Sequence, residues 1–211
     1  MMNNLQEQIL LEKIEKLEKG RYRLHWEGGT SVWVYGYEIR GMKLEEGTYI
    51  SKGLYLEIFH EIVGKRAKKR ALHLLERMDR TEQQLREKLM LSDYPEVCIE
   101  DAIDYVKSFH YIDDQRYADT FTRYAKEKFS RRQIQQKLMT KGISKEFAEA
   151  AIHAEYDTEE SVHIRKLLEK KHYEDASADE KERRRMYQYL LRRGFRSSDI
   201  LREMNNYTEA G

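Results

Sequence analysis

The residues of this sequence with the clearest potential for chemistry are basic side chains, which cluster in three parts of the chain. One cluster spans residues 65–70, and a second spans residues 123–145, where eight Lys or Arg residues stand against a single Glu. The third spans residues 181–202, with eight bases against two acids. Such clusters can bind phosphates or an acidic groove of a protein. Because the net charge of the whole chain is only +1, the argument for such a partner depends on the clusters alone.

The sequence offers little else for catalysis or metal binding. None of the eleven glycines stands in a GxGxxG or GxxxxGK[ST] pattern, and the seven histidines are scattered without an HExxH motif. Asp113 and Asp114 stand where a helix needs an N-cap, and Asp101 and Asp104 are interpreted as an exposed helix face. We expect no catalytic residue, no metal and no cofactor, although a site assembled from distant residues stays open.

The composition indicates a mainly helical protein. Charged residues make up 36% of the chain and apolar residues 40%, and there is one proline. The single cysteine, Cys98, excludes an internal disulfide framework and fits a reducing compartment. No apolar run reaches the ~20 residues of a membrane-spanning helix, and the start MMNNLQEQ does not resemble a signal peptide. We therefore expect a cytoplasmic protein without a membrane partner.

The first 60 residues predict a small β-hairpin unit. Apolar and polar residues alternate on both sides of Gly28-Gly29, which can fill the two positive-φ positions of a type I′ turn. We predict a hairpin over Arg21–Tyr35, packed on a later element because an isolated hairpin is only marginally stable. Residues 5–19 fit either a helical stripe or a short strand. An exposed Trp33 would indicate a contact with a partner, whereas a buried one would be structural.

After residue 60 one pattern occurs three times. In its central copy Ser130 can cap a helix, and Gln133 can reach back to the Ser130 amide. Apolar residues then follow four residues apart, and Gly142 can end the helix in the left-handed region, where Asp93 stands in the first copy. The copies are offset by 49 and 52 residues. The matching positions are Leu85, Leu89, Asp93, Tyr94 and Ile103; then Ile134, Leu138, Gly142, Ile143 and Ile152; then Met186, Leu190, Gly194, Phe195 and Met204.

This repeat predicts the architecture. Each copy holds a leading, a capped middle and a trailing helix, and the third copy is expected to open with a cap at Asp157. The predicted fold class is mainly α, with three tandem three-helix repeats over residues 61–108, 109–156 and 157–211. Stacking of the repeats buries their apolar faces, from which we expect an elongated curved rod. The β-hairpin unit over residues 1–60 precedes it.

The second and third basic clusters lie at equivalent places in successive repeats, over the middle helix. Each cluster alone could be an ordinary solvated helix face, but their equivalence favours a binding surface. Stacking of nucleic-acid bases on the tyrosines that lie among these Lys and Arg residues is the less favoured interpretation. The candidate binding residues are Arg123, Lys126, Lys128, Arg131, Arg132, Lys137, Lys141, Arg184, Arg185, Arg192 and Arg193.

Part of the chain resembles a known family. The segment FHYIDDQRYADTFTRYAKEKFSRRQIQQKLMTKGISKEFAEAAI is similar to the centre of RecX proteins, which regulate the recombinase RecA. ALHLLERMDRTEQQLREKL in the first copy, YIDDQRYA and KGI in the second, and YLLRRGF in the third carry the match. The hairpin segment looks like the N-terminal extension of RecX proteins from Gram-positive bacteria. The resemblance covers about residues 10–205, and Asp93 at the helix end is its one departure.

The resemblance implies a monomeric protein that binds RecA–single-stranded DNA filaments in their helical groove. Members of the family lower the RecA ATPase and strand exchange and limit filament growth, and some bind DNA themselves. One alternative is a DNA-binding protein that affects recombination only by competing for DNA, which would bind DNA without RecA and with a steep salt dependence. A weaker alternative is an enzyme with a site that the sequence does not reveal.

Overall fold

The computed structural model describes residues 8–157, 159–173 and 178–209. The chain divides into two compact units, Met1–Asp113 and Asp114–Gly211. The first unit contains the sheet and the helices of the first repeat, and the second unit contains the other two repeats. The four-part division at residues 60, 108 and 156, like the rod shape, stays a prediction.

The first unit begins with an antiparallel sheet of four strands in the order β3-β2-β1-β4. The hairpin prediction is confirmed, since β2 pairs with β3 in a register that places Leu24 opposite Val32. Gly28 and Gly29 both have positive φ angles, 85° and 81°. The open question over residues 5–19 is answered for Gln8–Lys16, which is a strand rather than a helix, and a 3-10 turn over Glu18–Gly20 follows it. The strands are β1 Gln8–Lys16, β2 Arg21–Trp26, β3 Ser31–Tyr35 and β4 Thr48–Ser51.

The helices of the first unit pack on this sheet and share one core with it. Leu24 and Trp26 of the sheet are fully buried together with Ile58 and Ala71, which come from the helical part. A π-helical segment, Glu57–Val63, leads into the first repeat. The helices are α1 Gly36–Met42, α2 Lys52–Leu56, α3 Gly64–Arg77, α4 Glu82–Met90 and α5 Glu96–Ser108.

Trp33 is buried and therefore structural, with an exposed fraction of 7%. The guanidinium of Arg66 on α3 lies 4.2 Å from the centre of the Trp33 ring and donates a hydrogen bond of 3.1 Å to the Trp33 carbonyl. Arg66 also lies 3.5 Å from the Glu38 carboxylate. The guanidinium of Arg66 thus connects the hairpin to the first repeat through its contacts with the Trp33 ring and the Glu38 carboxylate.

The second unit carries two three-helix groups, each with its own core. Ile134 and Leu138 are fully buried in the first core, and Leu168 and Leu190 are fully buried in the second. The helices are α6 Asp114–Ala125, α7 Arg131–Thr140, α8 Lys145–Glu155, α9 Glu160–Lys170, α10 Glu180–Arg192 and α11 Ser197–Glu209.

The ends of the three middle helices confirm the repeat. Asp93, Gly142 and Gly194 have φ angles of 63°, 86° and 84°, so Asp occupies the left-handed region that glycine takes in the other two copies. The Ile143 N–H donates to the Leu138 carbonyl at 3.1 Å, as the C-terminal motif requires. The prediction of a mainly helical fold with a small N-terminal β unit is confirmed.

Two expectations about helix starts are wrong. Ser130 caps α7 by accepting from the Gln133 N–H at 3.3 Å, but the buried Oε1 of Gln133 has no partner among the described residues. The capping box is complete only in the first repeat, between Thr81 and Gln84. Helix α9 begins after Glu159 rather than with a cap at Asp157, and the Asp157 carboxylate accepts a 2.8 Å bond from Lys126.

Candidate binding surface

Two of the predicted binding residues, Arg123 and Lys126, connect the end of α6 to the end of α8. Arg123 donates from Nε and Nη2 to the Glu155 carboxylate at 2.9 and 2.6 Å. These hydrogen bonds lower the pKa of Glu155 below its ordinary value. The ammonium of Lys126 donates to Asp157 at 2.8 Å and to the Glu155 carbonyl at 3.1 Å. Both cations are already paired, so their first role is to connect the ends of α6 and α8.

Arg131 is exposed, but its guanidinium is also engaged with its own unit. Its guanidinium lies 4.5 Å from the centre of the Tyr156 ring and donates to the Tyr156 carbonyl at 2.9 Å. The Tyr156 hydroxyl donates to the Phe129 carbonyl at 3.2 Å and lies 3.0 Å from His163 Nδ1. Burial raises the pKa of Tyr156 above its ordinary value. Arg131 therefore closes a buried polar cluster, which limits its availability to a partner.

Lys137 and Lys141 lie over aromatic rings of their own repeat. The ammonium of Lys137 is 4.4 Å from the centre of the Phe129 ring, and that of Lys141 is 5.6 Å from the centre of the Phe121 ring. Such contacts leave a cation accessible on its outer side. Both residues can still contribute positive charge to the outer surface of this repeat.

A mixed-charge cleft of about 1060 Å³ lies between α7, α8, α9 and α11. At its base the Glu203 side chain is 7% exposed and accepts from Arg165 at 3.1 Å and from Arg202 at 3.2 Å. Acids and bases balance, so the cleft has no strong preference for phosphate. The charged residues that line it are Arg131, Arg132, Arg165, Arg196, Arg202, Glu149, Glu159, Glu160, Asp199 and Glu203.

A basic groove is formed by two adjoining clefts, of about 530 and 450 Å³, that share Lys171 and Tyr189. Three acids also line it, Glu127, Asp179 and Glu182. The eight basic residues that line the groove are Lys128, Lys166, Lys170, Lys171, Lys181, Arg185, Arg192 and Arg193.

The groove brings together predicted residues from two repeats. Lys128 of the second repeat and Arg193 of the third line the same cleft. Arg185 and Arg192 stand seven residues apart on α10 and line the adjoining one. Arg184 is exposed but lies outside the groove. The structure thus gathers four predicted residues in one basic surface and places Arg131 and Arg132 in the mixed-charge cleft.

Comparisons with known proteins identify the family to which the chain belongs. Family models match residues 67–105 as "RecX, first three-helix domain", 113–152 as the second domain and 158–204 as the third. A protein named regulatory protein RecX from Caldanaerobacter subterraneus is 30% identical over 200 residues, which cover 93% of this chain and 99% of that protein. The chain belongs to the RecX family. Its basic groove is therefore lined by the third RecX domain and by Glu127 and Lys128 of the second.

Further relatives extend over nearly the same length. A regulatory protein RecX from Clostridioides difficile is 26% identical over 202 residues, covering 93% of this chain and 94% of that one. A solved structure described as regulatory protein RecX has a TM-score of 0.61 at 26% identity and covers 90% of this chain and 96% of that one. The structure of RecX from Lactobacillus salivarius, with a TM-score of 0.57 at 21% identity, supports the fold alone.

Sequence reasoning about this RecX-family chain missed three lysines of the groove, Lys166, Lys170 and Lys171. They follow one another on α9 and its end, outside the basic clusters of the second and third middle helices. The spacing of Lys166 and Lys170 was a usable signal, because residues four apart share one face of a helix. Within the described ranges there is no group of three His, Cys, Asp or Glu residues suited to a metal, and no helix long and apolar enough to cross a membrane.

Proposed function

We propose that this chain is a monomeric cytoplasmic regulator of RecA. In this proposal it binds RecA–single-stranded DNA filaments in their helical groove and inhibits the RecA ATPase, strand exchange and filament growth. The observation that carries the proposal is the basic groove, with eight bases against three acids, in a chain that belongs to the RecX family.

The electrostatics of the groove favour phosphates as its ligand. Six basic side chains of the groove have no ion pair among the described residues, and their charge is therefore available to a partner. They are Lys128, Lys170, Lys171, Lys181, Arg185 and Arg192. Lys166 is weakly engaged, since its ammonium lies 3.9 Å from the exposed Glu127 carboxylate. A surface of this kind gains affinity by releasing the counterions of a nucleic-acid backbone. Because the basic side chains come from two successive repeats, the groove is long enough to contact more than one unit of a polymer.

The proposal divides the candidate residues by role. Lys128, Arg185, Arg192 and Arg193 contact the filament in the basic groove, with Arg132, Lys137, Lys141 and Arg184 contributing charge outside it. Arg123, Lys126 and Arg131 are positioning residues, because their side chains already bind Glu155 or Tyr156 of their own repeat.

A titration into a RecA ATPase assay on single-stranded DNA that is already saturated with RecA tests the proposal. We expect inhibition at well below one molecule per RecA protomer, because a regulator in the filament groove acts on many protomers. Inhibition only at amounts that match the free DNA would contradict filament regulation.

The second candidate function is a DNA-binding protein that competes with RecA for DNA, and the same groove favours it. It predicts tight binding to DNA without RecA, and the logarithm of its affinity would fall steeply with the logarithm of the salt concentration. It also predicts that adding excess DNA relieves the inhibition, which filament regulation does not.

A further inference from the structure

Three aromatic side chains form a row at the end of α5 in the first unit, in which Tyr105 is half-buried and Phe109 and Tyr111 are exposed. The Tyr105 and Phe109 ring centres are 5.0 Å apart, and the Phe109 and Tyr111 centres are 5.8 Å apart with an angle of 21° between the rings. Phe109 is 55% exposed and Tyr111 is 51% exposed. Large aromatic side chains usually bury much of their surface, so two neighbouring rings left open in parallel require an explanation.

Lysines of α3 lie beside Tyr105, at one end of this row. Lys65, Lys68 and Lys69 line an open groove of about 580 Å³ together with Tyr105. The Lys68 ammonium is 5.7 Å from the centre of the Tyr105 ring. These lysines are part of the basic cluster over residues 65–70, which the proposed function does not use.

The charge of these lysines is largely free. Lys68 and Lys69 have no ion pair within the described part of the chain, and Lys65 has only an exposed pair with Glu61 on its own helix at 2.9 Å. On α5 the Asp101 carboxylate accepts from His60 Nδ1 at 2.6 Å. The surface therefore combines open aromatic faces with an excess of positive charge.

We infer that this surface, the aromatic row of Tyr105, Phe109 and Tyr111 with Lys65, Lys68 and Lys69, binds single-stranded DNA. Bases stack on the ring faces, and the lysines bind the phosphates between them. A duplex is a poor ligand, because its bases are already stacked on one another and present no free face. A purely apolar protein partner would leave the lysines without counter-charges, which favours the nucleic acid.

The inference deepens the proposed function and rests on it for the identity of the strand, which is the DNA of the RecA filament. It concerns the first compact unit, whereas the basic groove belongs to the second. The two surfaces can therefore be tested separately.

Fluorescence anisotropy of a labelled oligodeoxythymidine, measured with the full chain and without RecA, tests the inference. Phe109→Ala/Tyr111→Ala is expected to weaken binding by at least about 5-fold, the lower bound for the loss of one stacked base. Tyr49→Ala, which removes another exposed aromatic ring of the first unit, should bind as the parent does. Phe109→Tyr keeps a ring and should retain most of the affinity.

A strand of the same length without bases separates stacking from charge. The parent should bind it more weakly than oligodeoxythymidine, and the aromatic variant should bind it as the parent does. Lys68→Gln/Lys69→Gln should reduce the slope of log affinity against log salt by about 1.4, since each phosphate contact contributes about 0.7 on a single strand.

Parental affinity of the aromatic variant for oligodeoxythymidine would overturn the inference. An equal loss on the strand without bases, or equal binding of a duplex by the parent, would overturn it as well. These outcomes leave the proposed function standing if the parent still inhibits RecA. Conversely, a parent that stacks bases but does not inhibit RecA contradicts the proposed function and supports the stacking site.

Discussion

The hydroxyl of Ser130 donates a hydrogen bond to the main-chain carbonyl of Arg193, with 2.6 Å between the two oxygens. The same Oγ accepts from the Gln133 N–H and caps α7. Ser130 is fully buried, and 63 residues separate it from Arg193. One hydroxyl therefore connects the start of the second middle helix to the end of the third. This connection positions Arg193 and Lys128 in the same groove.

Gly194 is the residue that permits this contact. A Cβ at this position would lie 2.9 Å from Ser130 Oγ and 3.3 Å from Arg132 Cβ, and its φ of +84° is in the left-handed region. We expect Gly194→Ala to lower the free energy of unfolding by roughly 2–4 kcal/mol through strain and a steric clash together. Urea unfolding followed by circular dichroism measures the loss.

The matched control is Gly29→Ala, since Gly29 has a similar φ of +81° with open space around it. It should cost only about 1 kcal/mol, from backbone strain alone. Equal losses for both variants would show that Gly194 has no role in the contact between the repeats.

Ser130→Ala removes both a helix cap and the bond to Arg193. The expected cost is about 2–3 kcal/mol, because the Arg193 carbonyl loses its donor in a buried place. Ser144 caps α8 in the same way, through the Phe147 N–H at 3.1 Å, but it is exposed. Ser144→Ala should therefore cost about 1 kcal/mol, and thermal unfolding compares the two. A larger loss for Ser144→Ala would contradict the account.

Arg131 and Arg132 are neighbours with opposite expected behaviour. Arg131→Glu removes the contacts with Tyr156 and brings a carboxylate close to Glu160, so we expect a loss of roughly 2–3 kcal/mol in unfolding free energy. Arg132 is exposed in the first turn of α7, where a negative charge interacts favourably with the helix dipole. Arg132→Glu should therefore leave the free energy of unfolding nearly unchanged. If both variants unfold alike in urea, the structural role of Arg131 is wrong.

The lowered pKa of His163 leads us to predict that the free energy of unfolding depends on pH. Burial lowers its pKa from the ordinary value of 6.5, and the charges that act on it are Glu127 and Lys166. The unfolded chain therefore takes up the proton at a higher pH than the folded one. Stability is full above about pH 6.5 and declines as the pH falls below it through the lowered folded-state pKa.

Unfolding free energies at about pH 7.5 and about pH 5.5 test this dependence. His163→Asn keeps a donor that can reach the Tyr156 hydroxyl but cannot titrate, so its stability should fall less between the two pH values than that of the parent. An unchanged difference in the variant would exclude His163 as the source.

The fold was largely predictable because its signals are local. The left-handed residue after each middle helix and the apolar spacing before it revealed three copies, even with Asp93 in place of glycine. The first strand was ambiguous, because an apolar pattern around Ile9 and Ile14 fits two periods and only pairing with β2 and β4 decides it.

The candidate site was only partly predictable, because the partners of a charged side chain are distant in sequence. Nothing near Lys126 in the sequence shows that Asp157 will pair with it, and nothing near Arg131 shows that it will stack on Tyr156. Likewise, Lys171 joins the groove only because the fold places its ammonium 5.4 Å from the centre of the Tyr189 ring on α10. The basic residues could be found from the sequence, but the division between structural and available ones needs the three-dimensional contacts.

The most direct test of the central claim is the RecA ATPase titration on saturated single-stranded DNA with two double charge reversals. Arg185→Glu/Arg192→Glu alters the basic groove, and Lys16→Glu/Lys52→Glu makes the same change of charge at exposed positions of the first unit. We predict that the groove variant needs at least about tenfold more protein for half inhibition, as the loss of two phosphate contacts implies, while the control inhibits like the parent. Parental inhibition by a folded groove variant would contradict the claim that this groove binds the filament.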